Sequence, residues 1–279
     1  MNALAIPAQT SRVQRDPARA PQDDISAQHW QGGPICCQGC PYDKLLMLGE
    51  GLGCEPGHAC MQDVYARRID RFFSWHPALS DEQLSHPYFE VRAIAARRAS
   101  VFRLGALISD PDETVRLQVA MRLPQSQLAR LVNDPHREVR IRVAQRLAPA
   151  ELAALRHDPD YGVRELVAQR LPLALLSVMV FDPDRAVRMR VAQRLEMPAL
   201  MGMADDPDAD VRRIVAECLP VALLPSLAYD TDWRVRWEVA QRADMATLES
   251  MLGDKEPEVR QAVRERLRSN VTPLGAPHG

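Results

Sequence analysis

The dipeptide Val-Arg recurs at Val91-Arg92, Val115-Arg116, Val139-Arg140, Val163-Arg164, Val187-Arg188, Val211-Arg212, Val235-Arg236 and Val259-Arg260, always 24 residues apart. A strict period of this length marks a chain in which one supersecondary unit is copied and stacked. Two further columns keep the same register. One is Leu104, Leu128, Leu152, Leu176, Leu200, Leu224 and Leu248; the other is Asp110, Asp134, Asp158, Asp182, Asp206, Asp230 and Asp254.

Within one unit, Asp110-Pro111-Asp112-Glu113 precedes the run from Val115 to Leu123. This predicts a helix start in which Asp110 caps the free N–H groups, Pro111 takes the first helical position, and Asp112 and Glu113 face the positive end of the helix dipole. Val115, Val119, Ala120 and Leu123 fall at i, i+4, i+5 and i+8, one apolar stripe on a helix of about three turns. Pro124 stops that helix or opens the next element, whose apolar residues are Leu128, Leu131 and Val132. So little chain remains before Asn133-Asp134-Pro135 that the second element is a short α-helix or a 3-10 turn. Alternation of period two is absent from the whole chain. A unit this small cannot bury its stripe alone, so the units are expected to stack into an all-α solenoid, whose hand the spacing leaves open.

Five of the six cysteines, Cys36, Cys37, Cys40, Cys54 and Cys60, fall in one window ahead of the repeats, and Cys218 stands alone downstream. No apolar run approaches the roughly 18 residues of a membrane span, and Ala3–Ala8 is too short and lacks a preceding basic residue for an export signal. The expected location is therefore cytoplasmic, where thiols stay reduced and a dense cluster reads as metal binding before disulfides. Cys37 and Cys40 form C-x2-C, and Cys54 and Cys60 form C-x5-C. Zinc and a [4Fe–4S] cluster both accept four cysteines. Two details favour iron–sulfur: the first pair ends in Cys40-Pro41, and the second is wider than a zinc knuckle allows. Gly39, Gly49, Gly51, Gly53 and Gly57 crowd the stretch, which suits a backbone bending around sulfur. His58 is an alternative zinc ligand, although its spacing reads better as an exposed loop residue. Cys36 is the surplus thiol, because Cys37 has the C-x2-C spacing.

These patterns divide the chain into a flexible tail at 1–27, a cysteine-rich module at 28–63, a degenerate capping repeat at 64–90, eight 24-residue units at 91–268 with the last partial, and a second flexible tail at 269–279. The capping repeat concentrates Phe72, Phe73, Trp75, Tyr88 and Phe89, aromatics that are sparse in the later units. The last unit closes with Arg264 in the alanine column, as a terminal repeat requires.

All but two of the 35 basic residues are arginine, the exceptions being Lys44 and Lys255. Positions 91–268 hold 28 basic against 26 acidic residues, so most arginines have a carboxylate available. Fixed columns of Asp and Arg are more simply a ladder of inter-repeat pairs and carbonyl contacts than a phosphate-binding track. Cys218 occupies the column of Arg146, Arg170 and Arg242 and reads as drift rather than a reactive thiol. Trp233 and Trp237 share one helical face, which points to packing on the adjacent repeat more often than to a docking patch.

The 24-residue V-R-x-x-V-A-x-R-L unit, as in Val139-Arg-Ile-Arg-Val143-Ala144-Gln-Arg146-Leu147, and the module running from Cys60 through Phe73 resemble the leucine-rich repeat variant family, iron–sulfur proteins of nitrogen-fixing and related bacteria. The resemblance covers residues 30 to 268. It implies alternating α and 3-10 helices in a right-handed superhelix, with a [4Fe–4S] cluster in the N-terminal module. Carried over residue by residue, its ligands are Cys37, Cys40, Cys54 and Cys60.

The chain contains no G-x-G-x-x-G, no P-loop and no Ser/His/Asp arrangement, so a complete redox enzyme is not expected. The leading expectation is a redox-linked protein-interaction scaffold that docks an unidentified protein on the solenoid surface. An electron carrier to a docked partner is the alternative. A further alternative is a nucleic-acid-binding scaffold with a purely structural metal cap, which the charge balance disfavours. A membrane partner is not expected.

Overall fold

The computed structural model describes residues 25–48 and 53–271 and divides the chain into two compact units, Met1–Val119 and Ala120–Gly279. Most of both expected tails, together with Gly49 and Gly51, lies outside the described residues. The last helix, Pro257–Val271, runs past the repeat end expected at 268.

In the first unit, helices Ala66–Trp75 and Phe89–Ala96 are separated by a 3-10 segment at Pro77–Ser85, which repeats the helix-then-turn order predicted downstream. Ile69, Phe72 and Phe73 of the first helix and Val91 and Ile94 of the second form one buried cluster with Met61. Tyr42 and Leu45 of the cysteine module pack against that cluster. The Tyr42 ring meets Phe72 edge-on at 5.7 Å, and the Trp30 ring stacks on Tyr88 at 5.6 Å. The aromatics of the capping repeat thus join the module to the first helices. Among the described residues strand pairing is limited to two isolated bridges, His29 with Asp63 and Glu55 with Ala59.

The start of the first full repeat differs from the sequence expectation. The helix begins at Glu113, and the carboxylate that accepts the free N–H of Thr114 belongs to Asp112, at 2.8 Å, not to Asp110. Asp110 is engaged elsewhere. Its two oxygens accept from Nε and Nη2 of Arg92, each at 2.8 Å, and Oδ1 accepts the N–H of Asp112. Pro111 lies in that turn, outside the helix, and its carbonyl accepts from Arg116. A carboxylate held by a guanidinium from the previous repeat cannot also cap its own helix, so the cap falls two residues later.

The second unit repeats this plan. Helices Arg137–Arg146, Tyr161–Arg170, Arg185–Ala192, Ala209–Cys218 and Trp233–Arg242 alternate with 3-10 turns and helices of four to six residues. Asp160, Asp184, Asp208 and Asp232 cap four of the five helix starts. Val163, Val167, Ala168 and Leu171 are fully buried, as are their counterparts at Val211, Val215, Ala216 and Leu219. Each such valine or leucine contributes about 1.5–3 kcal/mol by leaving water. Arg264 is exposed at the position where earlier repeats bury alanine, so the last repeat presents a polar face.

Two arginine columns tie these repeats together. Arg140 donates Nη1 to the carbonyl of Asp134 in its own repeat and Nε and Nη2 to both oxygens of Asp158 in the next, at 2.7 and 3.0 Å. Arg164 with Asp182, Arg188 with Asp206, Arg212 with Asp230 and Arg236 with Asp254 repeat the bidentate pair. In the second column Arg146, Arg170, Arg194 and Arg242 donate back to the carbonyls of Ala120, Ala144, Ala168 and Ala216, closing the C-terminal end of the preceding helix.

Cys218 interrupts the second column, so this position offers no guanidinium to the Arg185–Ala192 helix, which has eight residues where its neighbours have ten. Cys218 is exposed. Replacing Cys218 by Arg is expected to stabilise the protein by about 1 kcal/mol, through a charged hydrogen bond and a favourable charge at a helix end. A thermal melt checks this, and a midpoint that stays or falls counts against the carbonyl-closing role of the column. Trp233 and Trp237 are 41% and 38% exposed, so they are not packed away against the adjacent repeat as the sequence suggested.

Candidate metal centre

The cysteine module is built from short turns whose backbone the sequence sets locally. The N–H of Cys40 donates to the Cys37 carbonyl at 3.2 Å, closing a turn that Gly39 completes with φ +79°, a conformation open to glycine at no steric cost. The 3-10 segment Asp43–Met47 follows, and its Leu45 carbonyl accepts the N–H of Cys54 at 3.3 Å. Gly53 permits that approach. A Cβ there would stand 2.2 Å from the Leu45 oxygen and 2.6 Å from the Leu48 oxygen, so no other residue fits without moving the backbone. The Cys54 thiol donates to the Tyr42 carbonyl at 3.8 Å, which turns it toward the segment carrying Cys37 and Cys40.

Cys60 is the most buried of the five, at 7% exposure. It sits just before Asp63, a fully buried carboxylate that pairs with the buried Arg68 at 3.0 Å and accepts the N–H of Tyr65. Arg68 also donates to the Ile25 carbonyl at 2.5 Å, so this pair fastens the chain on both sides of the module to the Ala66–Trp75 helix.

All the described cysteines are free thiols. Burial pushes the Cys60 thiol up to about 12, opposed by the Gln62 N–H and reinforced by charge on Cys54, Asp63 and Cys37. Burial also raises Cys54, with Cys37 and Cys40 adding to it. Cys37 is raised by burial first, then by Cys40 and Cys36. Cys37, Cys40 and Cys54 therefore lie within electrostatic reach of one another, and Cys60 within reach of Cys37 and Cys54. Cys36 is exposed, lies near the Gln38 carbonyl at 3.9 Å, and bears on Cys37 without bearing on Cys54 or Cys60. Among the described residues no group of three or more His, Cys, Asp and Glu is drawn together closely enough to hold a metal ion.

His58 is half-buried rather than an exposed loop residue. Its Nδ1 lies 2.8 Å from Nη1 of Arg71, which also donates to the His58 carbonyl at 2.7 Å, and its ring stands 5.8 Å from that of Trp75. These contacts hold the Cys54–Cys60 loop against the first helix. Arg71 carries the clearest information that sequence reasoning missed, since no spacing rule links it to His58.

The donor set suits a cationic group that takes thiolates. The thiols of Cys37, Cys54 and Cys60, held toward their neutral form by burial and by neighbouring cysteines, lose both penalties when a positive metal core binds them deprotonated. Among the described residues no helix is long and apolar enough to cross a membrane.

Residues 27–82 match the family model described as "LRV protein FeS4 cluster", residues 89–112 the model "Leucine rich repeat variant", and residues 197–223 the model "HEAT repeat". A protein of Rhodobacter capsulatus described as "Uncharacterized 27.7 kDa protein in nifB 3'region" is 49% identical over 87 residues, a match spanning 31% of this chain and 34% of that relative's length. A solved structure described as "A leucine-rich repeat variant with a novel repetitive protein structural motif" is 43% identical and superposes with a TM-score of 0.78, covering 83% of this chain and 98% of its own.

Proposed function

Because this chain belongs to the leucine-rich repeat variant family, whose all-α solenoid of alternating α and 3-10 helices it shares, we propose that it holds a [4Fe–4S] cluster on Cys37, Cys40, Cys54 and Cys60 and works as a redox-linked protein-interaction protein. What supports the assignment is the match of residues 27–82, which contain all four cysteines, to the iron–sulfur family model, together with the influence of Cys37, Cys40 and Cys54 on one another and of Cys37 and Cys54 on Cys60. When bound, a cluster of this class exchanges single electrons at a potential set by hydrogen bonding and solvent exposure. The chain's own residues shape those two conditions. Gly53 allows the Cys54 backbone to approach Leu45, Arg71 fixes the loop through His58, and burial of Cys60 keeps water from one side.

A protein partner is favoured over nucleic acid by the arginine columns. The guanidiniums that a phosphate backbone would need are paired with Asp or closed onto helix carbonyls. The cytoplasm is the compartment in which such thiols remain available to a cluster. The Rhodobacter capsulatus relative is described by its place in the nifB 3' region, which supports a role connected with nitrogen fixation.

The experiment is iron, zinc and acid-labile sulfide content, with visible and paramagnetic-resonance spectra before and after dithionite, on protein purified without air. About four irons and four sulfides per chain, with a spectrum that changes on reduction, is the expected result. One zinc and no sulfide overturns it. Full iron with no response to dithionite leaves a structural staple and removes the redox role. Replacing Cys54 by Ser is expected to abolish the cluster and loosen the module; full iron occupancy in that variant contradicts the ligand set.

A further inference from the structure

A groove of about 490 Å³ runs along the Ala66–Trp75 helix toward the end of the Phe89–Ala96 helix, and its walls carry Arg67, Arg71 and Arg97 against one carboxylate, Asp70. That carboxylate is held by Arg98 at 2.7 Å, with Arg97 further off at 3.5 Å. A second carboxylate, Glu90, lies within electrostatic reach of Arg97, and burial raises it above its ordinary range. Among the described residues Arg71 is engaged only by His58, through a carbonyl and a ring nitrogen. Arg67 is exposed and has no hydrogen-bond or ion-pair partner among the described residues.

This is a departure from the rest of the molecule. In the next turn of the same unit Arg92 is answered by a bidentate Asp110, as the repeat pattern dictates. A net charge of -2 over the whole chain therefore conceals a small surface where guanidiniums outnumber carboxylates. Arg67 and Arg71 stand four residues apart on one helical face, and Arg97, just past the end of the second helix, lines the same groove. Arg71 reaches into the loop between Cys54 and Cys60, so the groove borders the cysteine module.

We infer that this groove is a docking site for a protein partner whose contact face is rich in Asp and Glu. Charge complementarity selects the occupant. Guanidiniums recognise carboxylates bidentately, and an uncompensated basic cleft accelerates the approach of an acidic face. The chain's own termini do not fit. Residues 1–24 balance Arg12, Arg15 and Arg19 with Asp16, Asp23 and Asp24, and residues 272–279 contain no Asp or Glu. Nucleic acid needs a longer track of free cations than three side chains provide. The inference deepens the reading of the module as redox-linked by placing a partner beside it, and it rests on that reading only for the consequence of docking, not for the docking itself.

The test is titration calorimetry of the full chain against short poly-L-glutamate, with duplex DNA as the competing polyanion, at low and at high ionic strength. Iron content and dithionite response are read on the same samples. Poly-L-glutamate is expected to bind at low salt, to weaken as salt rises, and to lose at least about tenfold in affinity in the Arg67→Glu/Arg97→Glu variant, with melting midpoint and iron content unchanged. Should that double variant fold poorly, Arg67→Gln replaces it, because Arg67 supports no internal contact. Undetectable binding at low salt, binding indifferent to these substitutions, or tighter binding of DNA through the same arginines overturns the inference. An iron-free sample that still binds poly-L-glutamate through Arg67 and Arg97 counts against the cluster and leaves the docking site standing.

Discussion

Replacing Val167 by Asp is expected to cost about 4 kcal/mol or more and to lower the melting midpoint accordingly. Val167 has no exposure to solvent, and its helix packs between those at Arg137–Arg146 and Arg185–Ala192. A carboxylate there either stays ionised without a partner or is neutralised at a similar cost, and neither restores the packing the valine gave. Val167→Ala provides the control. It leaves a small cavity without a charge and should cost only about 1–2 kcal/mol. Denaturant melts of the two variants separate the effects, and an Asp variant no less stable than the Ala variant would mean that the apolar stripe is not the seam between repeats.

Asp230→Ala should cost about 3–4 kcal/mol, although no apolar contact is lost. Asp230 receives Nε and Nη2 of Arg212 at 2.7 and 2.8 Å, and its Oδ1 also accepts the N–H of Asp232. Removal leaves a guanidinium that is only 13% exposed without its counter-charge and opens the turn before the next helix. Acid should reproduce part of this loss in the unmodified protein. Burial opposes the charged form of Asp230, but the hydrogen bonds from Arg212 and the Asp232 N–H prevail and hold the carboxyl below its usual range. Asp254 is lowered in the same way by Arg236. A carboxyl lowered by folding contributes stability that is complete above the unfolded value, about 3.9, and is lost as pH falls through the folded one. Stability measured against pH should therefore decline below about pH 4, and less steeply in Asp230→Ala. Equal slopes would show that the Arg212 pair is not coupled to folding.

Much of this architecture is legible in the sequence because each repeat makes the same demand of the same column. Val163 and Val167 are buried where a 3.6-residue period places them, and Pro124 precedes the short element that its missing N–H can tolerate. The exchange of Asp110 for Asp112 as the capping residue was hidden, because a carboxylate beside proline satisfies the local rule whether or not an arginine from another repeat has claimed it. Only the three-dimensional stacking reveals the claim. At the module, the paired spacings of Cys37 with Cys40 and Cys54 with Cys60 were readable as local turns. The fastening of that loop by Arg71 through His58 was not, since it joins positions with no periodic relation. The exposure of Trp233 and Trp237 is not legible for a related reason: helical spacing says which side chains share a face and nothing about whether a neighbour covers it.

The bidentate joints of the second unit also bear on how such a chain changes its length. Each arginine answers the carbonyl of its own repeat and the carboxylate found 18 residues further on, so the joint between two repeats is assembled from parts that every repeat carries. Duplicating or excising 24 codons within this stretch leaves each remaining arginine with an aspartate at the right distance, wherever the cut falls. Recombination between neighbouring copies therefore produces arrays of different length with no unmatched seam, and the number of repeats is free to drift.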